Sequence, residues 1–467
     1  MKFVIKPWLH QEAIFERAKD MPDYGLFVEM GGGKTKIAIE LLRYKCYQKK
    51  RLLKTIIFCP PVVRNQWKKE IKANSAMVKD TVVLDKSGKK RIETFKKHSD
   101  GPKIFVTNYE SLGMKDLFVL FKEWRPDVLV FDESHLIKSP QAKRTKAAIE
   151  LADLAEHKYL LTGTPILNNA MDIWSQYRVL DGGETFDPNF YAFRAKYFHD
   201  KNAGMPKQKY FPDWRPRPGI EDKFNELIYR KASRVLKKDC MDLPPFVRQT
   251  IEVGLGPEQM KMYKQMERDF VAYLDDKTCV ASIALTKGLR LQQIASGYFV
   301  DDEGTERVFK TNPRLTALVE LIEPIAATGA KIIVWACFKK NYRDIVEALE
   351  KKYKVVTIVG GMTDKQRQKS IDDFQEGDAQ IVVANQQAGG TGVNLFKASY
   401  AIYNSRNFSL EADLQSEARC YRGGSDMHDK VTRIDLVAPD TIDQVVLDAL
   451  ARKENLASNI LSVKGAL

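Results

Sequence analysis

Short apolar runs alternate with segments of helical period over the first 180 or so residues. The runs are Tyr24–Val28, Thr55–Cys59, Thr81–Leu84, Ile104–Thr107, Val128–Phe131 and Tyr159–Leu161, with helical segments such as Arg64–Asn74 and Gln141–Leu154 between them. Strands that are apolar on every position, separated by helices, predict a parallel sheet covered on both faces. The alternation returns at Lys331–Cys337, Val355–Val359, Gln380–Ala384, Tyr400–Asn404 and Val431–Val437. Here the intervening or following helices are Asn341–Lys351, Thr363–Phe374, Glu411–Tyr421 and Thr441–Asn455. From 183 to 310 the strand pattern fades, and Lys- and Arg-bearing helical periodicity takes over in Phe224–Lys238, Pro257–Leu274 and Ser282–Ala295. The chain therefore reads as α/β, with parallel-sheet units at 1–182 and 311–467 and a basic helical region at 183–310.

Composition narrows the class. The 467 residues are 44% hydrophobic, enough for real cores, and carry a net charge of +14, which favours polyanionic partners. The six cysteines have no Cys-x-x-Cys spacing, which argues against a zinc site or a disulfide framework. The start of the chain lacks a long apolar leader, and no run approaches the roughly 20 apolar residues of a membrane span. The expectation is a soluble intracellular protein with no membrane partner.

Four constellations carry chemistry. The first run ends in Glu29-Met30-Gly31-Gly32-Gly33-Lys34-Thr35 and opens a helix. Glycines let backbone N–H groups converge on an anion, and the helix dipole adds positive potential. The Lys34 ammonium and Thr35 hydroxyl suit phosphate and a magnesium ion. The run Val128–Phe131 ends in Asp132-Glu133-Ser134-His135, a carboxylate pair where parallel sheets bind ligands. Asp132 suits a metal held through water, and Glu133 suits activation of the attacking water. Leu161-Thr162-Gly163-Thr164-Pro165 by itself reads as an ordinary turn. In the second unit, Gly389-Gly390-Thr391-Gly392-Val393-Asn394-Leu395 precedes a helix whose Gln415, Arg419 and Arg422 share a face, which suits the γ-phosphate of a nucleotide or merely a solvated surface.

Together and in this order, these strings resemble the superfamily 2 helicase core, and within it the Swi/Snf-type DNA-dependent ATPases. Pro7-Trp8-Leu9-His10-Gln11, Cys59–Trp67, Thr107-Asn108-Tyr109-Glu110, Leu161–Asn169, Leu243-Pro244-Pro245 and Gln415–Arg422 also fit that pattern, so the resemblance spans nearly the whole chain. Departures occur at Phe27-Val28, Ser134 and Gly424-Ser425, none of which removes a group that touches phosphate.

The resemblance implies two tandem RecA-like lobes that bind ATP and Mg²⁺. Gln11 would read adenine; Met30, Gly31, Gly32, Gly33, Lys34 and Thr35 would cradle phosphate; and Thr35 and Asp132 would serve the metal. Glu133 would act on water with Gln415 nearby, while Gly392, Arg419 and Arg422 would complete the nucleotide site from the second lobe. Arg64, Trp67, Thr107, Tyr109, Lys138, Gly389, Gly390 and Asn394 would contact DNA. The implied activity is a DNA-stimulated ATPase or helicase, a monomer that tracks on duplex, forked or branched DNA without sequence preference. Its implied tasks are repair, recombination or replication, including branch migration. An RNA helicase and an ATP-switched DNA-binding subunit are the competing readings. Basic and aromatic residues interleave in Lys207, Lys209, Tyr210, Phe211, Trp214, Arg215 and Arg217, a content suited either to stacking on bases or to packing beside the helical region.

Overall fold

The computed structural model describes residues 2–167, 169–206, 212–275, 281–301, 303–389 and 393–461. Its strands in chain order are β1 Asp23–Val28, β2 Thr55–Cys59, β3 Thr81–Val83, β4 Ile104–Asn108, β5 Val128–Asp132, β6 His157–Leu161, β7 Phe198–Asp200, β8 Trp214–Pro216, β9 Ala232–Val235, β10 Phe246–Glu252, β11 Tyr298–Val300, β12 Glu306–Val308, β13 Lys331–Trp335, β14 Val355–Ile358, β15 Ile381–Ala384, β16 Ala398–Tyr403 and β17 Val431–Val437. Two compact units emerge, one comprising residues 1–203, 212–241 and 453–467, the other 204–211 and 242–452.

The first unit is built on a seven-stranded parallel sheet of order β3-β4-β2-β5-β6-β1-β9. Its central strands are buried at every position, because helices cover both faces, and two hydrophobic clusters result. One contains Phe58, Phe95, Phe121 and Phe131; the other packs Ile37, Leu41 and Trp67. Ile460 and Leu461, at the end of the Ile442–Ile460 helix, are buried in the first of these clusters, and the Tyr229 hydroxyl donates to the Leu461 carbonyl at 3.0 Å.

The second unit has a six-stranded parallel sheet of order β10-β17-β16-β13-β15-β14. Runs such as Ile332-Ile333-Val334-Trp335 are buried throughout, with apolar clusters on the two faces.

The stretch 183–310 is less helical than its periodicity predicts. It supplies β9 to the edge of the first sheet and β10 to the edge of the second, and it forms two antiparallel hairpins, β7–β8 and β11–β12. Edge strands gain their stability from pairing with a neighbour, and β10 in particular (Phe246–Glu252) is largely exposed and polar, so an apolar-run criterion passes over it. Within β8, Trp214 lies under the Arg194 guanidinium, 4.1 Å from the ring centroid, which is the packing reading for that aromatic. Lys207, Lys209, Tyr210 and Phe211 lie outside the described residues.

Candidate active site

The glycine loop follows β1 and ends where the Lys34–Lys49 helix begins. Gly31 and Gly33 take φ of +93° and +78°, a region costly to a side chain, and a Cβ on Gly33 would collide with the Gln11 amide. The Leu9–Ala18 helix grips this loop from outside. Gln11 is buried, its Oε1 accepts from the Trp8 N–H at 3.0 Å, and its amide lies against Gly33; His10 Nε2 sits 2.8 Å from the Gly32 carbonyl. Met30 and Thr35 are half-buried at the two ends of the loop. Lys34 is buried and donates to the Val28 carbonyl at 2.9 Å.

Asp132 ends β5. Burial, reinforced by the adjacent Glu133 carboxylate, pushes it up to about 6, against the opposing pull of the Trp67 indole and the Lys34 ammonium. Such a carboxylate is short of positive charge. A divalent cation bound by hard oxygens such as the Asp132 carboxylate and the Thr35 hydroxyl supplies that charge, so the donor set fits Mg²⁺. Glu133 takes φ +55°, a strained left-handed conformation for a residue with a side chain. Its Oε2 lies 3.3 Å from His135 Nδ1 and 3.5 Å from Thr162 Oγ1, and the latter two atoms are 3.1 Å apart. Thr162 Oγ1 also accepts from the Thr164 N–H at 3.1 Å. The Thr162–Pro165 segment, an ordinary turn by its own composition, is thus in contact with the carboxylate pair. Gly163 lets the same segment lie close against the start of the glycine loop, since a Cβ there would sit 3.2 Å from the Glu29 Cα.

A second tie runs through Gln176 on the Asp172–Asp181 helix. Ser134 Oγ donates to Gln176 Oε1 at 2.7 Å, and Gln176 Nε2 donates to the Pro165 carbonyl at 2.6 Å and to that of Asp172 at 3.0 Å. Ser134 and Gln176 are both fully buried. A glutamine in the same helical stripe as Ile173, Tyr177 and Leu180 is the sequence signal that was available for it. Ser134→Ala or Gln176→Leu alone strands buried polar atoms, so each is expected to lower stability by about 1–3 kcal/mol. The double variant, which removes both partners, is expected to cost less than the sum in denaturant melts, and strict additivity would refute the coupling.

Three of the expected DNA contacts are corrected. Trp67, Thr107 and Tyr109 are buried: Trp67 Nε1 donates to Asp132 Oδ2 at 2.8 Å, Tyr109 Oη donates to the Asp132 carbonyl at 2.7 Å, and Thr107 Oγ1 pairs with Ser111 Oγ at 2.6 Å. Their side chains brace the sheet end and present no surface to a polyanion. Arg64 is half-buried and donates to the carbonyls of Pro61 and Leu84, both at 3.0 Å, while Lys138 is half-buried after the Ser134–Ile137 turn.

In the second unit, Gln415 and Arg419 are buried on the Leu410–Cys420 helix. Gln415 donates to Glu411 Oε1 at 3.2 Å. Arg419, read from the resemblance as a nucleotide contact, donates to the carbonyls of Gln415 and Val393 at 3.0 and 2.9 Å, tying the Val393–Leu395 segment to the helix. Burial holds the Arg422 guanidinium below its ordinary range, and no carboxylate pairs with it among the described residues. Gly389 closes the short Gln386–Gly389 helix; Gly390 and Gly392 lie outside the described residues. The Asn394 carbonyl accepts from Gln375 at 2.9 Å, and the Asn394 Oδ1 is buried with no partner among the described residues.

The least visible element from sequence is Arg433 on β17. Its guanidinium donates to both Asp413 oxygens at 2.8 and 2.9 Å, to Glu417 at 2.8 Å and to Asp435 at 3.2 Å, and it stands 4.0 Å from the Tyr403 ring centroid. Arg406 pairs with Asp435, and Arg248 with Glu417 at 2.8 Å. Asp413 and Glu417 lie on the Leu410–Cys420 helix, so this cluster seats the helix that carries Gln415 on its sheet.

Residues 20–297 match the SNF2-related domain, and residues 313–424 the helicase conserved C-terminal domain. The chain is 24% identical over 93% of its length to a chromodomain-helicase-DNA-binding protein 1-like of Danio rerio, covering 41% of that protein. It is 24% identical over 92% to a SWI/SNF-related matrix-associated actin-dependent regulator of chromatin subfamily A-like protein 1 homolog of Caenorhabditis elegans, covering 58% of it. Protein p41 of Acyrthosiphon pisum secondary endosymbiont phage 1 is 23% identical, with 97% of this chain and 98% of p41 covered. The chain thus spans about half the length of the first two relatives and nearly all of the third. Among the described residues, no helix is long and apolar enough to cross a membrane.

Proposed function

The chain belongs to the SNF2-related family, with a helicase conserved C-terminal domain following, and from that membership we propose that it is an ATP-driven DNA translocase that remodels or unwinds branched DNA. The observation that carries the hydrolytic half is the buried Asp132 beside Lys34, with the half-buried Glu133 next to it held by Thr162 and His135. Lys34 and the glycine-loop N–H groups bind the phosphates, and Gln11 lies beside the loop to read the base. Glu133 takes a proton from the attacking water. Gln415 and Arg422, on the second unit, supply polar and cationic groups suited to phosphate. Thr35 and Asp132 would hold Mg²⁺, which when bound neutralises phosphate charge.

The DNA half rests on the family and on a net charge of +14. Arg64, Lys138, Gly389, Asn394 and the basic surface supply phosphate-directed contacts, which make binding independent of sequence and sensitive to salt. We further propose that it works as a monomer on forks or four-way junctions in repair, recombination or replication.

ATPase and unwinding rates on single strand, duplex, fork, four-way junction and duplex RNA at matched salt test the proposal. Stimulation by duplex-containing DNA, greatest on branched forms, is expected. Equal stimulation by RNA, or none by any DNA, would overturn it.

A further inference from the structure

Asp132 is held from two sides. The Trp67 indole, on the Arg64–Asn74 helix and 2% exposed, donates to Oδ2 at 2.8 Å, while the Tyr109 hydroxyl donates to the Asp132 backbone carbonyl at 2.7 Å. The second bond fixes the strand end, and the first fixes the plane of the carboxylate. Packing alone does not require the N–H to meet an anion, since a phenylalanine fills much of the same apolar site against Ile37 and Ile71. The chemical type of the donor also matters. A lysine or arginine at position 67 would neutralise the carboxylate and compete with a cation for it. A neutral indole N–H instead orients the group and leaves its charge available.

We propose that Trp67 is a positioning residue for the metal, acting through Asp132: its indole N–H holds the carboxylate in the orientation that receives Mg²⁺ with the nucleotide. The inference rests on the reading of Asp132 as the metal's carboxylate. Donors to a ligating group orient it, and their loss commonly weakens metal affinity about 10–100-fold.

The test is an Mg²⁺ titration of the binding of a fluorescent, non-hydrolysable ATP analogue to the full chain, with a parallel measurement in EDTA. Trp67→Phe keeps a ring and loses the donor. Replacement of Trp67 by 3-benzothienylalanine keeps the bicyclic shape and loses the same N–H, and it serves if the phenylalanine variant does not fold. The expected result is an Mg²⁺ midpoint roughly tenfold or more above wild type, with metal-free nucleotide affinity unchanged. A wild-type midpoint in a folded variant, with wild type itself Mg²⁺-dependent, overturns the role of Trp67 and leaves the site reading intact. Mg²⁺-independent binding by the wild type overturns the assignment of Asp132 and the proposal with it. Weaker binding in EDTA and in Mg²⁺ alike would show that Trp67 only supports the loop, which also overturns it.

Discussion

Glu133→Gln is expected to lower the rate of ATP hydrolysis by roughly 10²–10⁴-fold while leaving ATP bound. The substitution is nearly isosteric, so the contacts of Glu133 with Thr162 and His135 can be kept by the amide. What is lost is the ability to take a proton from water. Lys34→Ala acts on the other term: it removes the ammonium proposed to bind the phosphates, and nucleotide affinity itself is expected to fall. Single-turnover hydrolysis with separately measured nucleotide binding separates the two. Appreciable turnover by Glu133→Gln would move the base to another residue. Loss of binding in that variant would mean that Glu133 holds the loop rather than the water.

Arg433→Met is expected to destabilise the second sheet by about 3–5 kcal/mol, because the loss leaves the buried Asp413 and Asp435, beside the half-buried Glu417, with too little positive charge. The guanidinium is 3% exposed and spreads its donors over three carboxylates, so Arg433→Lys, with a compact ammonium and no planar fork, is expected to rescue little. Hydrogen-exchange protection of the Leu410–Cys420 helix and of β17 reads this directly. A loss of that size corresponds to roughly a hundredfold or more in protection, at tenfold per 1.4 kcal/mol. ATPase activity should fall with it, since the helix that loses its seat carries Gln415. Unchanged protection would show that Arg406 and Arg248 suffice to balance the cluster.

Both results concern side chains whose roles differ greatly in how openly the sequence declares them. Lys34, Asp132 and Glu133 stand at fixed offsets from apolar runs, and a run buried on both faces can scarcely be anything but a central strand. The ligand end of a parallel sheet follows from that alone. Two parallel sheets and the loop-strand-helix placement of these groups were therefore legible before any coordinates. Arg433 and Asp435 left a fainter mark: charges two apart inside an apolar strand, on one face, with no indication of what meets them.

Where sequence pattern misled, the reason was direction. Trp67, Thr107 and Tyr109 lie in strings that the resemblance associates with DNA, but a string does not say which way its side chains turn. In the folded unit they turn inward, and two of them grip Asp132. Arg419 shares a helical face with Gln415, and the sequence does not show that its guanidinium also reaches the Val393 carbonyl, 26 residues away in the chain. β9 and β10 fell in a stretch without strand pattern because pairing partners remote in sequence stabilise them.

The phosphate loop was visible by itself as a strand, three glycines, Lys34 and Thr35, since backbone freedom, charge and helix polarity are local properties. What surrounds it was decided only by tertiary structure. His10 and Gln11 come to the loop from an earlier helix, Thr162 comes to Glu133 and Gln176 to Ser134 from beyond β6, and Trp67 comes to Asp132 from the helix after β2. Hydrogen bonds between remote segments depend on where the sheet and its helices bring those segments, and no local pattern of residues encodes that.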